Sequence, residues 1–174
     1  MLYIRHGQKA YNNGASTDFS LDPPLTESGR ESCKTKFLYL IEKYGIPTKI
    51  ISSPYLRARE TAQIASDMIF QVTNKIIEIS YDPLIGEYLG NQRHKDINKC
   101  LHQETLIRNP IPPEQWKQYS SRVRKHTRVA NPNCWYITHG LVIQSIALFH
   151  NKTKIPHPSE LEGIYIDDNG VNII

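Results

Sequence analysis

Two histidines stand at the ends of short apolar runs. Met1 to Ile4 leads into Arg5-His6-Gly7-Gln8, and Trp135 to Thr138 leads into His139-Gly140. Each run reads as a strand, so each histidine falls where strand becomes loop. One Arg-His-Gly triplet has little meaning alone, because most histidines are ordinary core or surface residues. Two strand-end His-Gly pairs in one small domain are harder to ascribe to packing, and the carboxyl edge of a parallel sheet is where open α/β folds bind ligands. Arg57 belongs to the same set, in the first helical turn after a second strand. Glu87 joins it from a loop after a third. Such residues suit phosphoryl transfer. Guanidiniums fork onto phosphate oxygens, and a neutral imidazole nitrogen can accept a phosphoryl group covalently. A second imidazole, when protonated, offsets charge on the transferring group. A carboxylic acid protonates the leaving oxygen, and its conjugate base then activates water. The reaction needs mainly positioning and charge stabilisation. A metal site is the poorer reading: neither histidine has a short-range ligand partner such as a helical His-x-x-x-His pair, and the arginines would repel a cation.

The elements that must hold these residues can be traced along the chain. Residues 8–25 read as a polar loop, and Asn12 within it reads locally as a turn residue. Thr26-Glu27-Ser28-Gly29 opens a helix, with Cys33, Phe37, Leu40, Ile41 and Tyr44 on one face and Gly45 and Pro47 as its stop. Lys49 to Ser53 reads as a strand. Pro54 begins a second helix, whose inward stripe is Ala58, Thr61, Ala62, Ala65 and Met68. This phasing lets Arg57 lean over the strand edge and turns Arg59 away. Asn74 to Ser80 alternates as a third strand. Glu87 sits among Leu84, Ile85 and Leu89, and apolar surroundings would raise its pKa toward that of a proton donor; a solvated loop glutamate is the alternative. Residues 91–130 read as a helical insertion rich in Arg93, His94, Lys95, Lys99, Arg122, Arg124, Lys125, His126 and Arg128, either a solvated basic face or the mouth of an anion site. Cys134 to Thr138 is a fourth strand, Leu141 to His150 a buried helix, and Ile164 to Ile174 a hairpin turning at Asn169-Gly170. Strands alternating with helices predict an α/β domain of three layers, α/β/α, with a mostly parallel sheet.

At 174 residues the chain fits one domain, 1–174, with one core. Its hydrophobic content of 39% and mean hydropathy of -0.48 suit a soluble globule. Neither a membrane span nor a signal peptide is recognisable. Cys33, Cys100 and Cys134 lack metal-like spacing and read as reduced thiols of a cytoplasmic protein. A net charge of +4 favours anionic ligands without implying nucleic acid.

As a set these motifs resemble the histidine phosphatase superfamily, also called phosphoglycerate mutase-like. The family's Arg-His-Gly signature stands as Arg5-His6-Gly7, and its following asparagine as Asn12. Pro24-Leu25-Thr26-Glu27-Ser28-Gly29, Ser53 through Ala62, Glu87 with Gly90, and Thr138-His139-Gly140 match further elements in the right order. The resemblance implies that His6 is the nucleophile that becomes phosphohistidine. It implies that Arg5, Arg57 and His139 hold the phosphoryl group and that Glu87 is the proton donor. Asn12, Gly7, Gln8, Gly140 and Tyr88 are the expected substrate-binding positions. No cofactor or metal is implied.

Departures from the family's pattern carry information. Gln8 stands where many members have an acidic residue, and Tyr88 replaces the arginine that mutases place after the acid. The mutases' long substrate-binding insertion is missing. These features favour a phosphatase acting on a phosphorylated small molecule or phosphoprotein. The alternatives are a phosphoglycerate mutase, and a binding module that recognises phosphoprotein or nucleic-acid ends through the basic 91–128 segment. The leaving group would be read by residues 8–21 and 88–128, with Tyr11, Tyr88 and Trp116 as possible aromatic contacts, and these segments do not specify it.

Overall fold

Leu2, Tyr3 and Ile4 point to alternate faces of strand β1 (Leu2–Arg5), yet all three are apolar and all are buried. Such a strand must lie inside a sheet covered on both sides. A computed structural model of the chain, which describes residues 1–10, 22–87, 113–150 and 152–174 (backbone alone at 113–116), places it there. The sheet has six strands. The others are β2 (Lys49–Ser52), β3 (Ile79–Tyr81), β4 (Cys134–Thr138), β5 (Gly163–Asp167) and β6 (Gly170–Ile173). Their order is β3-β2-β4-β1-β5-β6. The first four run parallel, and β5 and β6 continue the sheet as an antiparallel hairpin.

Helices α1 (Glu27–Tyr44) and α2 (Leu56–Thr73) cover one face, where Phe37, Leu40, Ala58, Ala62 and Ile69 meet Leu2, Ile4, Ile50, Trp135 and Ile137. Helices α3 (Pro113–Thr127) and α4 (Gly140–Phe149) cover the other, where Tyr119, Val123, Val142 and Ile143 meet Tyr3, Tyr136 and Ile164. The expected three-layer α/β/α architecture with its C-terminal hairpin is therefore the observed one. Fully burying each large apolar side chain stabilises the fold by about 1.5–3 kcal/mol.

Local boundaries differ from expectation in instructive ways. The third strand starts at Ile79, not Asn74. Asn74 instead ends α2 in the left-handed conformation (φ 57°), its N–H donating to the Phe70 carbonyl at 2.8 Å. Helix α2 starts at Leu56, two residues beyond Pro54, and has no side-chain cap of its own. Its cap comes from the loop before α1, where the Asp22 carboxylate accepts the Leu56 N–H at 2.7 Å. A tight 3-10 turn at Pro83–Ile85 occupies part of the expected loop before Glu87. Of the segment 91–130, α3 is described and sends Tyr119 and Val123 into the core, while 91–112 lies outside the described residues. No described helix is long and apolar enough to cross a membrane.

Candidate active site

Parallel pairing brings four strand ends to one edge. Arg5 pairs with Thr138, and Ser52 pairs with both Ile137 and Tyr81. The residues after each strand are therefore neighbours. His6 follows β1, Ser53 and Arg57 follow β2, the Asp82–Glu87 segment follows β3, and His139 follows β4. The sheet ladder extends one step into this edge: His6 N–H donates to the Thr138 carbonyl at 3.0 Å, Ser53 N–H to Ile137 at 2.9 Å and Asp82 N–H to Ser52 at 2.9 Å. The loops thus leave the sheet already fixed.

His6 is 2% exposed. Its Nδ1 lies 2.8 Å from the Gly7 carbonyl. A carbonyl can only accept, so Nδ1 carries the proton and Nε2 keeps a lone pair. Arg57 Nε–H donates to that Nε2 at 3.2 Å. The His139 ring stands edge-on to the His6 ring, centroids 5.2 Å apart, and His139 Nε2 is 2.8 Å from the Ser53 hydroxyl. Arg57, also 2% exposed, is a buried cation that requires partners. It is paired with Glu87 through Nη2 and Oε2, and its Nη1 is 3.5 Å from Asp22 Oδ1. The Tyr55 ring lies under the guanidinium at 4.9 Å. Glu87 Oε2 is 3.6 Å from His139 Nδ1. Arg5 Nη1 donates to the Pro158 carbonyl at 2.8 Å, tying the 155–162 loop to the same edge. All five expected catalytic residues are in or beside one cluster.

The electrostatics favour an anion. His6 and His139 are held well below the ordinary imidazole value of 6.5, first by burial and then by the Arg57 charge, with Arg5 and Lys9 adding to both. Both rings are therefore neutral at neutral pH. Lys9 is pushed down to about 8 by burial and by Arg57 and Arg5, with Glu160 opposing. His157 is pushed down to about 4 by burial and by Arg5. A phosphoryl dianion entering among these cations would replace repulsion with attraction. No three His, Cys, Asp or Glu side chains are grouped as around a metal ion among the described residues.

Glu87 corrects one expectation. Its sequence neighbours are apolar, but Ile85 turns into the core and the Glu87 carboxylate faces Arg57 and His139. The 3-10 turn separates the two directions. Of the expected substrate-binding residues, Gln8 points elsewhere: its Oε1 accepts from the Thr26 and Ser28 hydroxyls at 2.9 and 2.8 Å, at the start of α1. Gly7 is required by packing, since a Cβ there would meet Cys33 Sγ at 2.6 Å. Gly140 lies against the His157 ring. Asn12 and Tyr88 lie outside the described residues, as do Tyr11 and the Trp116 side chain. Arg59 lies over the Tyr81 ring, away from the cluster.

Four supporting residues had no assigned role in the sequence reading. Asp22 caps α2 and lies beside Arg57. Thr61 accepts the Gly7 N–H at 3.0 Å and donates to the Arg57 carbonyl at 2.7 Å, linking the loop after His6 to Arg57. Ser53 contacts His139. Thr138 donates to the Ile85 carbonyl at 2.6 Å. Thr61, Ser53 and Thr138 fall within recognised motifs, which is a usable signal. Asp22 lies outside them and acts through contacts with segments far away in sequence.

The same architecture occurs in known proteins. Residues 1–172 match the model of the histidine phosphatase superfamily (branch 1). Over 94 residues the chain is 31% identical to the 2,3-bisphosphoglycerate-dependent phosphoglycerate mutase of Bifidobacterium longum, a stretch covering 54% of this chain and 35% of that protein. The chain thus matches about a third of the length of that relative. Bacillus stearothermophilus YhfR superposes with a TM-score of 0.65 at 20% identity, covering 98% of this chain and 93% of that one. The structure described as the putative phosphohistidine phosphatase SixA of Agrobacterium tumefaciens superposes with a TM-score of 0.58 at 16% identity, covering 99% and 92%.

Proposed function

The chain belongs to the histidine phosphatase superfamily, and from that membership we propose that it is a phosphomonoesterase that turns over through phosphohistidine on His6, with its own side chains supplying the charge stabilisation that a metal gives elsewhere. The observation that carries this reading is the convergence of the His6 Nε2 lone pair, the Arg57 guanidinium, Glu87 and His139 at one sheet edge.

The steps follow from that geometry. Phosphoryl oxygens replace Glu87 and His6 as partners of Arg57, with Arg5 and Lys9 adding positive charge. His6 Nε2 attacks phosphorus and the bond to the leaving oxygen breaks. Released from Arg57 by the incoming anion, the Glu87 carboxylate takes up a proton from solvent and passes it to the leaving oxygen. Water then loses a proton to the Glu87 carboxylate and attacks phosphorus, the P–N bond breaks, and its electron pair returns to Nε2. The dianion also draws a proton toward His139, the ring beside the nucleophile. The substrate class is a phosphorylated small molecule or a phosphoprotein.

The test is phosphate release from p-nitrophenyl phosphate and a panel of natural phosphomonoesters, with chelator present, for wild type and His6→Ala. Chelator-resistant turnover that disappears in a folded His6→Ala protein is expected. Turnover retained in the variant would refute the mechanism. A second reading, phosphoglycerate mutase, draws support from the 31% identity to a mutase. It predicts exchange between phosphoglycerates with little net release, and Tyr88 at the position after the acid weighs against it.

A further inference from the structure

Two residues of α3, Arg122 and His126, stand one helical turn apart and both face the segment that carries Glu87. Arg122 Nη2 donates to the Gly86 carbonyl at 2.7 Å, and Nη1 reaches the Pro83 carbonyl at 3.4 Å. His126 is 2% exposed, and its Nδ1 lies 2.7 Å from Asp82 Oδ2. A carboxylate accepts, so Nδ1 carries the proton and Nε2 accepts a hydrogen bond from the Tyr3 hydroxyl at 3.1 Å. Asp82 in turn accepts the Leu84 N–H at 2.8 Å through Oδ1, capping the 3-10 turn. Burial raises the Asp82 pKa, but the bonds from His126 and Leu84 outweigh it and hold the carboxyl below its ordinary value, so the acceptor stays ionised.

We propose that Arg122 and His126 are positioning residues for the general acid, His126 fixing the start of the 82–87 segment through Asp82 and Arg122 fixing its end through Gly86. This rests on the reading of Glu87 as proton donor. The two links act at opposite ends of a six-residue segment, with the Thr138 hydroxyl on the Ile85 carbonyl between them. Gly86 immediately precedes Glu87, so freeing its carbonyl lets the carboxylate drift from the leaving oxygen. Misplacement by an ångström is enough to cost a large rate factor. These contacts absorb two members of the basic 91–128 cluster into the site's support, while Lys117, Arg124, Lys125 and Arg128 remain on the outer face of α3.

A substrate series with leaving groups of different basicity tests this. An alkyl phosphate needs its leaving oxygen protonated, whereas p-nitrophenolate leaves without help. In Arg122→Ala, kcat/KM for glycerol phosphate should fall tenfold or more, while kcat/KM for p-nitrophenyl phosphate changes less than threefold. Arg122→Gln, which can still reach one carbonyl, should lie between Arg122→Ala and wild type. His126→Leu should reproduce the selective loss. Equal losses on both substrates would mean a general structural role, and no loss on either would mean no role; each overturns the proposal. Glu87→Gln is the reference arm. A selective loss there, without one in the Arg122 variants, overturns the positioning proposal alone. No selective loss in Glu87→Gln overturns the proton-donor assignment and this proposal with it.

Discussion

Lowering the pH from 7 to 5 should remove up to about 4 kcal/mol of folding free energy through two residues, His6 and His139, the ceiling being reached if both rings stay neutral throughout. Both are 2% exposed, and burial together with Arg57 keeps both neutral in the folded protein well below pH 6.5. In the unfolded chain each titrates near 6.5. Between the depressed folded values and 6.5 the unfolded state therefore binds more protons, and stability rises with pH across that window. Read downward, stability is complete above about pH 7 and is lost steadily as the pH falls. For a histidine that stays neutral when folded, the loss from pH 7 to 5 is about 2 kcal/mol, so the pair loses about 4. Against a total of roughly 5–15 kcal/mol that is a large share. The assay is urea denaturation at pH 5, 6 and 7, comparing wild type with His139→Gln. The variant should show a shallower dependence, by about 1.4 kcal/mol per pH unit at the acid end. Unchanged slope in His139→Gln would refute the claim that the ring is buried neutral. Equal stability of wild type at pH 5 and 7 would refute it for both rings.

Two further predictions concern the walls of the site. Gly7→Ala puts a methyl group 2.6 Å from Cys33 Sγ and 3.3 Å from the Gly29 carbonyl, and should cost about 1–3 kcal/mol in denaturant unfolding; adding Cys33→Ala should recover part of it, and no loss in the single variant would show that α1 yields freely. Lys9 loses its proton as the pH rises through about 8, so the site sheds one cation there. The inhibition constant of inorganic phosphate should rise several-fold between pH 7 and 9.5, and Lys9→Met should flatten that rise; an identical profile in the variant would remove Lys9 from the anion site.

The candidate site was legible because its residues sit beside strand ends, where a short apolar run meets an Arg-His-Gly or His-Gly punctuation. The inward stripes of α1 and α2 were legible for a similar reason: Cys33, Phe37 and Leu40, and Ala58, Ala62 and Ala65, repeat at helical spacing and are all buried. Less legible was where elements begin. Asn74 reads equally well as the first residue of a strand or as a helix stop. Only the left-handed backbone that ends α2 separates the two.

Local composition misled at Glu87. Apolar neighbours along the chain suggested an apolar pocket, but a side chain's surroundings come from the elements packed against it. Here those are α2, which contributes Arg57, and the end of β4, which contributes His139. Gln8 shows the same effect: it follows Arg5-His6-Gly7, yet its amide oxygen is taken by the start of α1.

The sequence by itself determined which residues are candidates for the proposed chemistry, the three-layer fold that carries them, and the family to which the chain belongs, since side-chain type and hydrophobic period are written along the chain. Tertiary structure alone decided which nitrogen of His6 keeps its lone pair, the ion pair that holds Glu87, and the contacts of Asp22, Arg122 and His126. Those depend on hydrogen-bond partners from segments tens of residues away, and such partners become neighbours only when the parallel sheet closes and the strand ends meet.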